Sequence, residues 1–275
     1  MHPFWRTIIA PVLDALEAAT VLEIGAEQGR TTSLLLQRAR ERGGTVIAVD
    51  PQPRFDLSAW GLEWGNTLRF LRGRSLEVID RLPPVDAALI DGDHNYFTVI
   101  RELEGLASAA SNRGGSPPAF FIHDVGWPYG RRDLYYDPDS IPFEHRHSAA
   151  RAAIHPDRAD TGRPGVNGDL WNAIREGGPR NGVLTAVEDF LSANQGRFEA
   201  ILIPGWHGLA ILVPSELAER PAVREQLGRL ESAGFLREWA AGLERARILA
   251  GMEAYDRGPP PEVREQIDRD QGLLD

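Results

Sequence analysis

Cysteine is absent from the 275 residues. Disulfides, thiolate zinc sites, iron–sulfur clusters and a cysteine nucleophile are thereby excluded. Lysine is absent as well, since all 30 of the Lys+Arg cations are arginine. A Schiff base, a lysine-dependent phosphate loop and a lysine general base are therefore impossible. Positive charge is in deficit, with a formal net charge of -10. No nucleic-acid partner is expected, because such binding runs on clustered cations. No apolar run reaches the roughly 18 residues that a membrane helix needs, so no membrane partner is expected either. The N-terminal stretch "MHPFWRTIIAPVLDAL" contains Pro11 and Asp14 and no small-residue cleavage site, so no signal peptide is expected. Together these absences lead us to expect a cytoplasmic protein.

What the chain does contain is an alternation of short apolar runs with helical patterns. Candidate strands are "TVLEIG" (20–25), "TVIAVD" (45–50), "LRFLRG" (68–73), "VDAALID" (85–91) and "AFFIHD" (119–124), with "FEAILIP" (198–204) and "GLAILVP" (208–214) closing the series. Helices are expected after Gly29, over "SLEVIDRL" with Ser75 as N-cap, from about Tyr96 to Ala110, and over "GVLTAVEDFLSAN" after Asn181. Near-continuous apolar strands separated by helices imply an α/β fold, a parallel sheet covered on both faces. The last two strands are joined only by "GWH", too short for a crossover, and must form an antiparallel hairpin. Gly205, Trp206 and His207 then sit at the carboxyl end of the sheet, where open α/β sheets bind ligands.

This plan gives a domain over residues 1–214. Residues 125–180, rich in Pro, Gly, Asp, Arg and Tyr, form an insertion within it that reads as a lid or acceptor wall. Residues 215–275 read as two amphipathic helices and a polar tail. The helices either cover the sheet edge or pair with a second subunit, giving a homodimer.

The first chemical motif is "VLEIGAEQGRTTSLLL", a strand running into Gly25, then Gly29, then a helix. Such a turn lets the backbone approach a ligand lying across the strand ends. The dinucleotide pattern G-x-G-x-x-G is not met, because Glu27 and Arg30 stand where its second and third glycines belong. A carboxylate there would repel a pyrophosphate. A phosphate-free ligand carrying an adenosine fits better, with Asp50 placed to accept from two ribose hydroxyls. The alternative is a tight turn with no ligand.

"LEIGAEQGRTTSLLL", the acidic end of "IAVD", "VDAALIDGDHNYFTVIREL" and the terminal hairpin together resemble the class I S-adenosylmethionine-dependent methyltransferases. The similarity is greatest to the small-molecule branch that includes metal-dependent O-methyltransferases of antibiotic sugars, and it covers roughly residues 18–125 plus the hairpin. The resemblance implies a seven-stranded Rossmann-like sheet with S-adenosylmethionine in the cleft. It puts Glu23 and Gly25 near the methionine part, Asp50 on the ribose, and Arg74 and Ser75 beside the adenine.

In that strand order the runs ending in "IDGDH" and "FIHD" are neighbours. Asp91 and Asp124 then face each other, and two close carboxylates repel unless they are protonated or share a cation. A hard divalent ion, Mg²⁺ by default, resolves the conflict and lowers the pKa of a bound substrate hydroxyl. Catechol-type relatives use a lysine base, which this chain lacks. His94 is the available proton acceptor, and its D-x-x-H spacing from Asp91 matches the antibiotic-sugar relatives. Those relatives tend to carry paired acids where this chain has His123–Asp124, which leaves the ion's ligand set open. The alternative for "DGDH" is a helix N-terminal turn, with Asp93 as cap and His94 exposed.

The third motif is "HDVGWPYGRRDLYYDP". Trp127, Tyr129, Tyr135 and Tyr136 offer faces for a sugar or planar acceptor, and Arg131 and Arg132 offer a grip on carboxylate or phosphate. The alternative is a loop packing its own aromatics. His123 and His207 complete the expected acceptor side. The expected function is O-methyl transfer to a small-molecule hydroxyl, on a sugar or natural-product acceptor. Two rivals stand beside it. One is a metal-independent small-molecule methyltransferase, and the other is a non-catalytic cofactor-binding or scaffold member of the fold.

Overall fold

The computed structural model describes residues 1–257, with 248, 249 and 251–257 described by backbone alone. Most of the polar tail, from 258 onward, lies outside the described residues. The chain divides into two units, Met1–Gly228 and Arg229–Asp275.

The first unit opens on a short helical lead-in and α1 (Ala10–Ala15), followed by β1 (Thr20–Ile24), α2 (Arg30–Arg42), β2 (Thr45–Val49), α3 (Leu57–Trp64), β3 (Leu68–Leu71), α4 (Ser75–Val78), β4 (Ala87–Ile90), α5 (Tyr96–Asn112) and β5 (Ala119–His123). Residues 125–180 contain β6 (Leu134–Tyr135), β7 (Ala149–Arg151) and β8 (Trp171–Ala173). Then come α6 (Val183–Ala193), β9 (Phe198–Ile203), β10 (Leu209–Pro214), α7 (Ser215–Ala218) and α8 (Pro221–Glu231), which crosses the division. In the second unit α9 (Ala233–Arg257) begins with Phe235 N donating to Ser232 Oγ at 3.1 Å. Pro221 starts α8 and splits the first expected C-terminal helix in two.

Seven strands form one sheet in the order β3-β2-β1-β4-β5-β10-β9. The first five are parallel, and β10 runs antiparallel to both neighbours. The expected fold is therefore present. Every residue of β4 is buried, as are four of the five in both β1 and β2, because helices cover both faces of a parallel sheet. α2 stops where Gly43 takes a left-handed φ of 70° and donates its amide to Ala39 O. The buried stripe of α5, Val99, Leu103, Leu106 and Ala107, recurs at helical spacing and packs on the sheet.

Two expectations about caps are corrected. α5 is capped by Asn95, whose Oδ1 accepts from Thr98 N at 2.9 Å, so Asp93 is not the cap. Ser75 is the first residue of α4 rather than its N-cap, which is Arg74. The carboxylate of Glu77 accepts from the Arg74 amide at 3.2 Å.

The insertion is an ordered layer with its own three-stranded sheet, in the order β6-β8-β7. Its staple is Asp133, fully buried. Asp133 Oδ1 accepts from Tyr96 N and Gly182 N, both at 2.7 Å, and Oδ2 accepts from Tyr135 OH at 2.7 Å. One carboxylate thus ties the first turns of α5 and α6 to the insertion.

Candidate active site

β4 and β5 are paired with Ile90 opposite Ile122, which sets Asp91 level with His123 and carries Asp124 one residue further. The two acids meet through the His123 ring. His123 Nδ1 lies 2.9 Å from Asp91 Oδ1 and 2.9 Å from Asp124 Oδ2, and Nε2 lies 2.8 Å from Trp206 O. With both carboxylates ionised all three oxygens accept, so both ring nitrogens donate and the arrangement favours an imidazolium. Burial alone would lower its pKa, but Asp91 and Asp124 prevail and raise it to about 10. Burial would raise both acids, yet His123 and His94 hold Asp91 and Asp124 below the usual carboxylate range. Asp91 Oδ2 also lies 2.9 Å from the amino group of Met1, and Phe4 sets its ring edge-on to His123 at 5.7 Å.

His94 completes the cluster. Its side chain is 14 % exposed, so the alternative of a solvent-facing turn residue fails. Neither ring nitrogen has a hydrogen-bond partner. Nε2 stands 3.4 Å from Asp124 Oδ2 and 3.7 Å from Asp91 Oδ1. Burial pulls its pKa down, but the two carboxylates outweigh that and raise it above the ordinary value. Aromatic rings rather than hydrogen bonds orient it: Tyr129 lies 5.7 Å away at 33° and Tyr136 5.7 Å away at 63°. Asn167 Nδ2 donates to the Tyr129 hydroxyl at 2.8 Å, fixing that ring from the insertion.

On the cofactor side, Glu23 is 3 % exposed and its Oε2 has no partner. Burial raises its pKa to about 8. Such an orphaned acid under the first strand's turn suits an incoming ammonium group. Gly25 has φ +90°, and a β-carbon there would sit 2.2 Å from Asp91 O, so this glycine lets the first and fourth strand ends touch. A β-carbon on Gly29 would meet the Trp60 ring at 2.6 Å. Asp50 accepts from Glu27 N at 2.8 Å and Gln52 N at 2.6 Å, which leaves lone pairs on both oxygens for ribose hydroxyls. Arg74 pairs with Asp137 of the insertion, and Ser75 Oγ bonds to the buried Glu102.

The acceptor-side expectations divide. Tyr129 and His123 are in the cluster. His207 is beside it, 6.3 Å from the His123 ring, with Nδ1 3.1 Å from Trp127 O. Trp127 is partly exposed, and its buried Nε1 lacks a partner. The two arginines need correcting. Arg131 donates through both terminal nitrogens to the two carboxylate oxygens of Glu188, each at 2.6 Å. Arg132 is fully buried and donates to Ala173 O and Ala159 O. Arg132 is sealed within the insertion and cannot grip an acceptor, whereas Arg131, half-exposed, ties the insertion to α6 through Glu188. Tyr135 is likewise structural, since its hydroxyl bonds Asp133. Sequence reasoning missed Glu102 and the contact of the Trp206 carbonyl with His123. Glu102 is an acid on the apolar stripe of α5, a signal readable from spacing. Trp206, 43 % exposed, has a left-handed φ of 48°, which the sequence does not signal.

Among the described residues, one group of possible metal ligands, Asp91, His123 and Asp124, brings its donor atoms within 4.8 Å of one another. No described helix is long and apolar enough to cross a membrane.

Residues 22–125 match a family described as "Methyltransferase domain". No curated protein matches the chain in sequence. Several solved structures are similar. A methyltransferase of Podospora anserina, PaMTH1, bound to S-adenosylhomocysteine, has 16 % identity and a TM-score of 0.42, over 74 % of this chain and 76 % of that one. The 1,6-didemethyltoxoflavin-N1-methyltransferase of Burkholderia thailandensis has 18 % identity and a TM-score of 0.37, over 74 % and 76 %. The O-methyltransferase NcsB1 of neocarzinostatin biosynthesis, with S-adenosylhomocysteine and 1,4-dihydroxy-2-naphthoic acid, has 15 % identity and a TM-score of 0.44, over 78 % and 55 %. The family match spans the strands from β1 to β5 whose carboxyl ends carry the cleft, so residues 22–125 are similar to a methyltransferase domain.

Proposed function

We propose that this chain is an O-methyltransferase that moves the methyl group of S-adenosylmethionine to a hydroxyl of a small sugar-like or planar acceptor. The observation that carries this reading is His94, a largely enclosed imidazole whose nitrogens make no hydrogen bond and whose Nε2 faces Asp124 and Asp91, at the carboxyl end of the sheet. Methyl transfer to oxygen is an in-line displacement. The new C–O bond forms as the S–CH₃ bond breaks, and the electron pair stays on sulfur. The leaving group is already good, so the protein must position the hydroxyl and take its proton. His94 accepts that proton, while Tyr129 and Tyr136 hold its ring and wall the acceptor. Glu23 receives the cofactor's ammonium, Asp50 its ribose, and Gly25 and Gly29 shape the turn beneath it. Calorimetry with S-adenosylhomocysteine tests the root of the reading, with micromolar binding expected. Absence of binding would overturn it.

Asp91 and Asp124 are the residues that would hold a divalent ion, which when bound supplies a Lewis acid for the acceptor hydroxyl. Mg²⁺ prefers oxygen and would use the two carboxylates with water, whereas Mn²⁺ also accepts imidazole and could take His123. A metal-independent reading has its own support, because the His123 imidazolium bridges the two acids and the Met1 amino group supplies a second positive charge on Asp91. The two readings part on proton release. An ion that takes His123 must expel the Nδ1 proton, so its affinity rises with pH and binding releases protons. Titration of Mn²⁺ in buffers of different ionisation enthalpy reads this directly. Full methyl transfer after exhaustive EDTA treatment would remove the ion from the mechanism. Transfer that is lost and then restored by Mg²⁺ or Mn²⁺ is the expected result.

A further inference from the structure

α4 and α5 meet at a polar pair that the chemistry above does not use. Glu102 has no exposed surface. One carboxyl oxygen, Oε1, bonds to Ser75 Oγ, and the other, Oε2, is buried without a partner. The charged groups facing it come from the loop between β4 and α5, Asp93 and His94. Asp93 itself bonds Thr98 Oγ1 at 3.2 Å on the same face of α5. From α4 the group facing it is the Ser75 hydroxyl. An ionised carboxylate here would keep a single hydrogen bond in an apolar setting, beside another acid. Burial accordingly pushes the Glu102 carboxyl up to about 8.

The charge state decides which way Ser75 points. A protonated carboxyl must donate its O–H, and Ser75 Oγ is the partner it has. Ser75 then accepts from Glu102, and its own hydroxyl proton is turned away from α5. An ionised Glu102 can only accept, so Ser75 donates inward and offers outward nothing but lone pairs. The ring nitrogens of a purine are acceptors and require a donor.

We propose that Glu102 is a positioning residue that sets the hydrogen-bond direction of Ser75, and through it the affinity of the cleft for the adenine of its cofactor. This rests on the functional reading above and on the resemblance, which puts Ser75, just past the carboxyl end of β3, beside the adenine.

The test measures binding of S-adenosylhomocysteine and of 5′-methylthioadenosine by calorimetry between about pH 6 and pH 9. The second probe lacks the amino-acid part, so neither its amine nor Glu23 contributes. Wild type should lose about three- to ten-fold in affinity for 5′-methylthioadenosine on going through a midpoint near 8, the size of one neutral hydrogen bond, whereas for S-adenosylhomocysteine the ionisation of Glu23 over the same range offsets part of that loss. Glu102→Gln keeps a donor toward Ser75 at every pH and should hold the low-pH affinity without the fall. Ser75→Ala, which leaves α5 unchanged, should bind more weakly at low pH and also show no fall. A pH-independent wild type, or a Glu102→Gln variant that tracks wild type, would overturn the inference while leaving the methyltransferase reading intact. Failure of wild type to bind either nucleoside at any pH would overturn both.

Discussion

A His94→Gln variant is expected to keep affinity for S-adenosylhomocysteine within about two-fold of wild type and to lose about 10²- to 10⁴-fold in methyl transfer. Glutamine fills the space between Tyr129 and Tyr136 but cannot take a proton near neutral pH. The cofactor side, built on Glu23, Gly25 and Asp50, does not depend on it. The measurement is release of S-adenosylhomocysteine against a panel of catechols, flavonoids and glycosides, with binding followed separately. Turnover within about three-fold of wild type would remove His94 as the base, since even weak general-base catalysis exceeds that.

The pH dependence has a definite sign. Asp124 and Asp91 raise the pKa of His94, so its neutral, proton-accepting form is populated only above its ordinary value of 6.5. The rate should therefore rise with pH on that limb. Neutralising Asp91 and Asp124 with a divalent ion takes away what raises the imidazole, so the limb should move toward lower pH when Mg²⁺ or Mn²⁺ is added. An unmoved limb would mean that the ion does not sit between these acids.

Asp133→Ala is expected to cost about 3–5 kcal/mol of stability, on the scale of about 1–3 kcal/mol for each buried donor left unpaired. The main-chain amides of Tyr96 and Gly182 and the hydroxyl of Tyr135 all point at this carboxylate. An alanine leaves these buried donors without an acceptor. For a unit of this size the melting temperature should fall by roughly 10 °C. Below the transition the variant should still bind S-adenosylhomocysteine, because Asp133 joins the insertion to α5 and α6 and touches none of the cofactor-side residues. Thermal unfolding by circular dichroism gives the answer. A shift under about 2 °C would mean that the insertion is held elsewhere, since one kcal/mol alone moves the transition about that far.

Much of the candidate site could be read along the chain. Asp91 ends an apolar run that can only be an interior strand, and the three-residue link at 205–207 forces a hairpin whose tip joins the same end of the sheet. The missing lysines leave an imidazole as the natural base. These are local properties: hydrophobic period, connector length and residue type. The arginines show where such reading fails. Arg131 and Arg132 look alike in sequence, yet one is a surface partner of Glu188 and the other is sealed under β8. The strands of the insertion are two or three residues long, too short for a period to register.

The sequence by itself determined the α/β class and the parallel order that ends in a hairpin, and it pointed to one end of the sheet and to His94 as the candidate base. Tertiary structure alone decided that His123 lies between Asp91 and Asp124 as an imidazolium, that Tyr129 and Tyr136 clasp His94, and that Glu102 lies under Ser75. The reason is register. Residues 27 or more positions apart meet only when strand pairing and helix rotation are both set, and a shift of one residue along β5 would turn His123 to the opposite face of the sheet.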